Sequence, residues 1–225
     1  MTSPYGVRRK LATVSRVPLT VERIVAAALA RIDHDGLDGL SMRKLGADLG
    51  VEAMALYKHV PDKETLLDLV VAGVYAEVDL PDADIAWDER IRHVAQALRA
   101  AVLAHPHLLT RAVTQPPTSP VVQQRIDVLL GALREVTGDD TLAVRHFWVI
   151  TAFVSGALLA ETTSLRQTES TAGAELDALD AVACPSLAAL GPVLATCDFA
   201  TEFTFGLDTV LAAVPTDRRR TRPRR

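Results

Sequence analysis

Apolar residues recur at helical spacing along nearly the whole chain, and no stretch has the strict alternation that is typical of a β-strand. The first predicted helix covers about residues 20–35, with Thr20 as its candidate cap. A second predicted helix, at 41–49, is separated from a third, at 52–59, by Gly50, which can end a helix. The chain is therefore predicted to begin with three helices, of which the last two are short.

Longer amphipathic segments follow these three helices. They predict further helices at 62–79, 88–104, 107–113, 120–136, 139–161, 172–182 and 198–214, of which 172–182 has the least support because its surroundings are polar. The proline-containing stretch at 79–87 is interpreted as a linker. The predicted fold class is all-α, with about nine to ten helices: a three-helix helix-turn-helix head and a larger helical domain.

The domain boundaries follow from this pattern and from the charges. The predicted units are a basic arm at 1–19, the head at 20–64, the larger domain at 65–217 and a disordered Arg-rich tail at 218–225. Residues 1–64 hold ten Lys and Arg against eight Asp and Glu, whereas residues 65–217 hold eight against twenty. A basic head on an acidic body indicates an anionic partner for the head alone.

The number of cysteines and the lengths of the apolar runs indicate the cellular compartment in which the chain is expected. Cys184 and Cys197 are too few for a disulfide framework, which favours the reducing cytoplasm. They are interpreted as two ordinary thiols in preference to a redox pair. No uninterrupted apolar run approaches the roughly 18–20 residues that cross a bilayer, so no membrane association is expected.

The second and third predicted helices have the spacing of a helix-turn-helix. The residues that can face inward and hold the two helices together are Leu45, Leu49, Val51 and Leu56. Small side chains at Ala53 and Ala55 leave the outer surface of the third helix unobstructed. A helix presented in this way fits a DNA major groove, which is about 12 Å wide.

The residues from 20 to 70 resemble the DNA-binding domain of the tetracycline-repressor family of bacterial regulators. The resemblance rests on Gly36 and Gly39-Leu40-Ser41 before the second helix, on RKLGADLGV, and on Leu56-Tyr57-x-His59-Val60 with Lys63-x-x-Leu66-Leu67. Because this combination covers about fifty contiguous residues, it is far more specific than a single short motif. It implies a regulator that binds double-stranded operator DNA.

The DNA-binding residues implied by this resemblance are Ser41, Arg43, Glu52, Ala53, Met54, Tyr57, Lys58, His59 and Lys63. Ser41, Tyr57 and Lys63 would hold backbone phosphates. Arg43 would contact a base edge, with guanine as its best partner, and the residues that open the third helix would lie at base-contacting positions. The alternative makes Tyr57 a core aromatic and the next two residues a solvated surface.

The residues after 80 resemble the all-helical C-terminal domain of the same family, through FVSGALLAE at 153–161 and FTFGLDTVL at 203–211. In that family the corresponding helices pair with their copies in a four-helix bundle, which implies a homodimer. Gly156 and Ala160 would permit close helix approach. The implied interface residues are Phe153, Gly156, Ala160, Phe203, Leu207 and Leu211; the alternative is that they pack in the core of one chain.

A pocket for a small-molecule effector is expected between the apolar walls of the fourth to eighth helices. Its candidate residues are His93, Leu98, Arg111, Gln115, Phe147, Trp148 and Thr151, although an aromatic on a helical stripe is more often core than ligand wall. In the family that this domain resembles, the tetracycline-binding repressor holds the drug's magnesium ion with a histidine, and a gapless match anchored on His105 and Thr118 implies Ala112 at that position. No metal site and no cofactor is therefore expected, and His105 and His107 are interpreted as turn residues at a helix break.

These features favour a homodimeric, ligand-responsive transcriptional regulator, most often a repressor in this family, that a small and mainly apolar molecule releases from its operator. Two other classes remain as alternatives. A ligand-independent architectural DNA-binding protein would make use of the Arg-rich tail. An all-helical enzyme is the weakest of the three, because no nucleophile–base or metal-ligand spacing occurs in the sequence.

Overall fold

A computed structural model describes residues 18–114, 119–167 and 183–216. Within these ranges it contains α-helices and two single-turn 3₁₀ segments but no β-strand, which confirms the predicted all-α class. The helices are α1 (Val21–Asp35), α2 (Met42–Leu49), α3 (Ala53–Leu56), α4 (Lys63–Ala76), α5 (Trp87–Ala104), α6 (Leu109–Thr114), α7 (Pro120–Thr137), α8 (Asp140–Gln167), α9 (Pro185–Leu194) and α10 (Phe199–Ala212). The 3₁₀ segments are Leu37–Gly39 and Pro106–Leu108.

Side-chain caps and left-handed glycines set the boundaries of the first helices. The caps are Thr20, which accepts from Arg23 N at 3.3 Å, Ser41, which accepts from Lys44 N at 3.3 Å, and Asp62, which accepts from Thr65 N at 2.7 Å. Gly50 ends α2 with a φ of 66°, a conformation that costs glycine little. The predicted starts of α1, α2 and α4 are therefore confirmed.

Several predicted boundaries differ from the structure. α3 ends at Leu56 and not at 59, because the N–H groups of His59 and Val60 both donate to the Leu56 carbonyl and close a turn. α4 ends at Ala76, and α8 continues past the predicted residue 161. α9 was not predicted, since its two prolines indicated a break. The predicted helix at 172–182 and the tail at 218–225 lie outside the described residues.

Two hydrophobic clusters form the interior. The first joins α1 to α4 around the fully buried residues Ile24, Ile32, Leu45, Leu56 and Leu66, and it also includes Val94 and Ala101 of α5. The second joins α5, α7, α8 and α10 around Ile91, Leu133, Leu158, Phe203 and Leu207. α4 is packed in the first cluster and also contacts α5 and α7. It is thus a direct mechanical connection between the head and the rest of the chain.

α8 is unusually apolar for its length. Its segment Asp140–Ser164 is long and apolar enough to cross a membrane by length and composition alone, with a mean hydropathy of 1.6 over 18 residues. The sequence did not indicate it as such a segment because polar residues interrupt the run. One side of α8 packs in the second cluster through Ile150, Val154 and Leu158. Its other side, which includes Leu159, is exposed in the single chain.

Candidate nucleic-acid interface and internal cavity

A close backbone approach fixes the turn between α2 and α3. A Cβ placed on Gly46 would lie 2.8 Å from the Val51 carbonyl oxygen and 3.2 Å from the Ala53 nitrogen. The N–H of Val51 donates to the Gly46 carbonyl at 2.9 Å. Only glycine allows these two helices to approach so closely, and the sequence pattern did not single this residue out.

The residues expected to contact DNA are mostly exposed. Met54 is 72% exposed, and Tyr57, the C-cap residue of α3, is 43% exposed. The alternative that Tyr57 is a core aromatic is therefore wrong. Arg43, Glu52, Lys58 and His59 are also exposed, whereas Ala53 is half-buried.

Two of the residues predicted to contact phosphates, Ser41 and Lys63, also make hydrogen bonds within the N-terminal helices. The Ser41 hydroxyl accepts the hydrogen bond that caps α2, and the residue is half-buried. The Lys63 ammonium lies 3.5 Å from the Leu37 carbonyl oxygen, and the residue is half-buried at the start of α4. An ammonium has three N–H donors, so this contact leaves two for other acceptors.

An ion pair orients α2 on α1. Arg31 donates from Nε and Nη2 to the two carboxylate oxygens of Asp48, each at 2.6 Å, and from Nη1 to Asp35 at 2.6 Å. The hydrogen bond from Arg31 lowers the pKa of Asp48. Residues 31 and 48 lie on different helices, so no local pattern could have predicted their pairing.

Arg111 does not lie where the sequence pattern predicted it. Its guanidinium donates to Glu64 at 2.5 Å and to Asp68 at 2.6 Å, both on α4, and it does not line the cavity described below. A second link between the two parts of the chain joins His105 Nδ1 to Asp33 at 3.0 Å. Arg111 therefore holds α6 against α4, and His105 holds the end of α5 against α1.

An internal cavity of about 640 Å³ opens between α4, α5, α6, α7 and α8. Four of the predicted ligand residues line it: Leu98, Phe147, Trp148 and Thr151. Trp148 is 66% exposed, which places it at the edge of the cavity. The Thr151 hydroxyl donates to the Phe147 carbonyl of its own helix at 2.8 Å.

Of the remaining predicted ligand residues, His93 does not line this cavity. The His93 ring lies 3.2 Å from the Asp79 carbonyl oxygen and is exposed, and Gln115 lies outside the described residues. Ala112 does line the cavity and presents a methyl group there. Among the described residues, no three His, Cys, Asp or Glu side chains are grouped to hold a metal ion.

Three polar residues that line the cavity were not predicted: Tyr75, Arg125 and Ser155. Arg125 donates from Nη2 to the Val78 carbonyl at 2.7 Å and from Nη1 to the Val121 carbonyl at 3.1 Å. Burial raises the pKa of the Tyr75 phenol. The signal for Arg125 was present, because residues 122, 125 and 129 share one helical stripe that is otherwise apolar.

The stripe predicted to form the dimer interface on α10 is buried inside the single chain. Phe203, Leu207 and Leu211 are 2%, 1% and 3% exposed, so the alternative of core packing within one chain is the right one. Phe153 packs there too, with its ring centroid 5.8 Å from that of Phe203. A Cβ on Gly206 would lie within 2.4 Å of the Phe153 ring, so a larger residue at this crossing would have to displace that ring.

A different apolar surface of α8 and α10 remains exposed. Gly156 and Ala160 are exposed in the single chain, and Leu159 between them is 53% exposed. Phe205 on α10 is 70% exposed. Cys184 and Cys197 are free, exposed thiols, as predicted.

Two family models match this chain. The model described as bacterial regulatory proteins, tetR family, covers residues 24–70, and the model described as tetracyclin repressor-like, C-terminal domain, covers residues 80–217. The chain belongs to the TetR family. The resemblance seen in the sequence is confirmed, and this TetR-family regulator combines an N-terminal helix-turn-helix with a helical C-terminal domain.

Similar proteins include named TetR-family repressors. HTH-type transcriptional repressor DrrR1 of Streptomyces coeruleorubidus is 33% identical over 141 residues, which cover 62% of this chain and 52% of that protein. Tetracycline repressor protein class D of Escherichia coli is 38% identical over 101 residues, covering 41% of this chain and 46% of that protein. The matched region thus spans about half the length of each of these relatives.

Solved structures extend the similarity over most of the chain. The TetR family protein ActR of Streptomyces coelicolor, in complex with actinorhodin, has a TM-score of 0.75 and 32% identity, covering 88% of this chain and 97% of that chain. ActR in complex with (S)-DNPA has a TM-score of 0.73 and 31% identity, with coverage of 88% and 98%.

Proposed function

We propose that this protein is a cytoplasmic, homodimeric transcriptional repressor that a small, mainly apolar molecule releases from double-stranded operator DNA. The observation that carries the proposal is the position of α4. Leu66 and Val70 of this helix lie in the core of the head, while Tyr75 near its end lines the cavity. A molecule in the cavity therefore contacts the same rigid helix that supports the DNA-binding surface.

Release requires only that the effector bind best to one arrangement of the two heads and that operator DNA bind best to a different arrangement. Operator DNA fixes the spacing of two recognition helices in a dimer. A tenfold loss of operator affinity needs about 1.4 kcal/mol of such preference. A displacement of α4 would supply this free-energy difference, because α4 packs in the first hydrophobic cluster and its far end borders the cavity.

The cavity supports an apolar ligand that needs no metal. Most of its lining is aliphatic or aromatic, with Leu98, Phe147 and Trp148 among the larger side chains. Burial of apolar ligand surface contributes roughly 25 cal/mol per Å². By the resemblance to the family's C-terminal domain, Ala112 stands where metal-binding relatives carry a histidine; its methyl group lines the cavity and offers no metal ligand.

On the DNA side, we assign Arg43, in the first turn of α2, to the edge of a guanine base. Glu52, Ala53 and Met54, at the N-terminal end of α3, are assigned to the edges of neighbouring bases. Ser41, Tyr57, Lys58, His59 and Lys63 are assigned to the phosphate backbone or its vicinity. The exposure of Tyr57 supports its role, and the half-buried Lys63 retains free donors.

The homodimer is proposed to form through the exposed face of α8 and α10, which includes Gly156, Leu159, Ala160 and Phe205. Large exposed apolar patches mark interaction surfaces. A two-fold pairing of this face would cover the apolar side of α8. It would also present two heads for the two half-sites of an operator.

The test starts from an operator found by footprinting the purified protein on DNA upstream of the neighbouring gene. A compound library is then screened for loss of operator binding in an anisotropy assay, with chelator present throughout. Sequence-specific protection and release by apolar compounds are expected. Uniform binding to all sequences would favour the architectural alternative, and absence of DNA binding would refute the proposal.

A further inference from the structure

Arg125 is the sole charged side chain in the cavity wall formed by the described residues. It projects from α7 among aliphatic neighbours such as Val122 and Ile126, and it is partly buried. Two other arginines with little exposure have carboxylate partners: Arg90 pairs with Glu135, and Arg111 with Glu64 and Asp68. Arg125 has none within residues 18–114, 119–167 and 183–216.

The hydrogen bonds of Arg125 leave much of the guanidinium unsatisfied. It has five N–H donors, and two of them reach neutral acceptors, the carbonyl oxygens of Val78 and Val121. Its Nε is shielded from solvent and has no hydrogen-bond partner among the described residues, which is also true of Nε in Arg90 and Arg111, so the absence of a carboxylate partner is what distinguishes Arg125. A partly buried cation without a counter-ion loses hydration that no opposite charge replaces, so an anion at this position would be stabilised.

Tyr75 offers a second donor on the facing helix. Its ring lines the cavity one helical turn before Val78, whose carbonyl accepts from Arg125. No described residue accepts a hydrogen bond from its hydroxyl, and burial raises the pKa of this phenol, so it stays protonated and able to donate. The described wall of the cavity thus combines apolar side chains with the donors of Arg125 and Tyr75, the hydroxyl groups of Thr151 and Ser155, and no carboxylate.

We propose that Arg125 is the receptor for an anionic oxygen group on the effector, so that the natural ligand is an apolar ring system carrying a carboxylate, phenolate or sulfonate. This inference rests on the proposed function of the cavity and names the class of molecule that it selects. Arg125 presents paired N–H groups, which suit a two-oxygen acceptor. The Tyr75 hydroxyl donates to the same group.

The test uses two fluorescent probes that differ by one group: 8-anilinonaphthalene-1-sulfonate and uncharged N-phenyl-1-naphthylamine. Both are titrated against the full-length protein and against Arg125→Gln, which keeps a donor for the Val78 carbonyl. Arg111→Gln is the matched control, since this arginine is already paired outside the cavity. Ala112→Phe, which places an aromatic ring in the cavity and narrows it, identifies the binding that occurs there.

Arg125→Gln is expected to weaken the sulfonate probe about tenfold or more, the usual loss for a charge-assisted hydrogen bond. The uncharged probe should weaken less than about twofold, because it gains only from apolar burial. Arg125→Lys should keep most of the preference for the sulfonate, and Arg111→Gln should change neither probe. Circular dichroism checks folding, and Arg125→Met replaces the Gln variant if that variant is unfolded.

Equal weakening of both probes in Arg125→Gln, or weakening of neither, would overturn the inference while leaving the cavity as an effector site. Binding of the uncharged probe alone would overturn it in the same way. If Ala112→Phe leaves the binding of both probes unchanged, the cavity does not accept such molecules. That result would refute the proposed function together with the inference.

Discussion

Replacement of Gly46 by alanine tests the helix-turn-helix directly. The added methyl group would lie 2.8 Å from the Val51 carbonyl oxygen and 3.2 Å from the Ala53 nitrogen. Both are backbone atoms of the turn and of α3, so no side chain can rotate away. The two helices must separate to accommodate the substitution.

The magnitude follows from two opposing terms. Overpacking of this kind costs about 1–3 kcal/mol, and the backbone contact favours the upper end, while alanine gains about 1 kcal/mol over glycine inside a helix. The expected net destabilisation is about 2 kcal/mol, which lowers the Tm by about 4–8 °C for a chain of this size. Because α3 is displaced, operator affinity should also fall about tenfold.

Thermal unfolding followed by circular dichroism, at equal protein concentration, measures the effect on stability. The matched control is Gly131→Ala in α7, where a Cβ meets nothing within 4 Å and alanine should stabilise the helix by about 1 kcal/mol. Operator binding of both variants is measured by anisotropy. A Gly46→Ala protein as stable as Gly131→Ala would refute the close approach as the reason for this glycine.

Three further predictions concern other parts of the chain. Arg43→Ala should lose about 1–3 kcal/mol of operator affinity and relax preference at one base pair per half-site; a binding-site selection that returns the same preference would exclude base contact. Leu159→Glu on the exposed face should give soluble, helical monomers by light scattering. Leu207→Ala in the core should instead lower the free energy of unfolding by about 2–5 kcal/mol. A Leu159→Glu protein that is still dimeric would show that the interface lies elsewhere. Hydrogen bonds from Thr201 and from the Ala200 backbone lower the pKa of Asp198, which caps α10. The stabilisation by the ionised Asp198 cap is therefore complete above the ordinary aspartate pKa and is lost as the pH falls through the lower pKa of the folded state. The difference in Tm between the wild type and Asp198→Ala should consequently vanish in acid. A difference that persists there would contradict the role of the ionised carboxylate as the cap.

The sequence predicted most of the head because its determinants are local. Caps at Thr20, Ser41 and Asp62 and the left-handed Gly50 act within a few residues, and each operates as expected. The length of α3 was overestimated, since the turn after Leu56 depends on two backbone hydrogen bonds and not on periodicity.

The wrong predictions for residues after 80 arose where the local sequence pattern does not determine which neighbour a helix face packs against. The apolar stripe of Phe203, Leu207 and Leu211 fits an intermolecular seam or an internal core equally well, and only the packing against α8 decides for the core. Arg111 and Arg125 show the same limit. Both lie on or near apolar stripes, but only the fold brings carboxylates of α4 to Arg111 and leaves Arg125 with neutral partners.

The central claim is that the cavity and the DNA-binding head are energetically linked. The most direct measurement is reciprocal titration with a compound that the operator-release screen identifies: its Kd with and without operator fragment, and the operator Kd with and without saturating compound. Linkage requires the same ratio in both directions, and a ratio of tenfold or more, abolished by Ala112→Phe, is expected. A compound that binds in the cavity while both ratios stay at one would contradict the linkage.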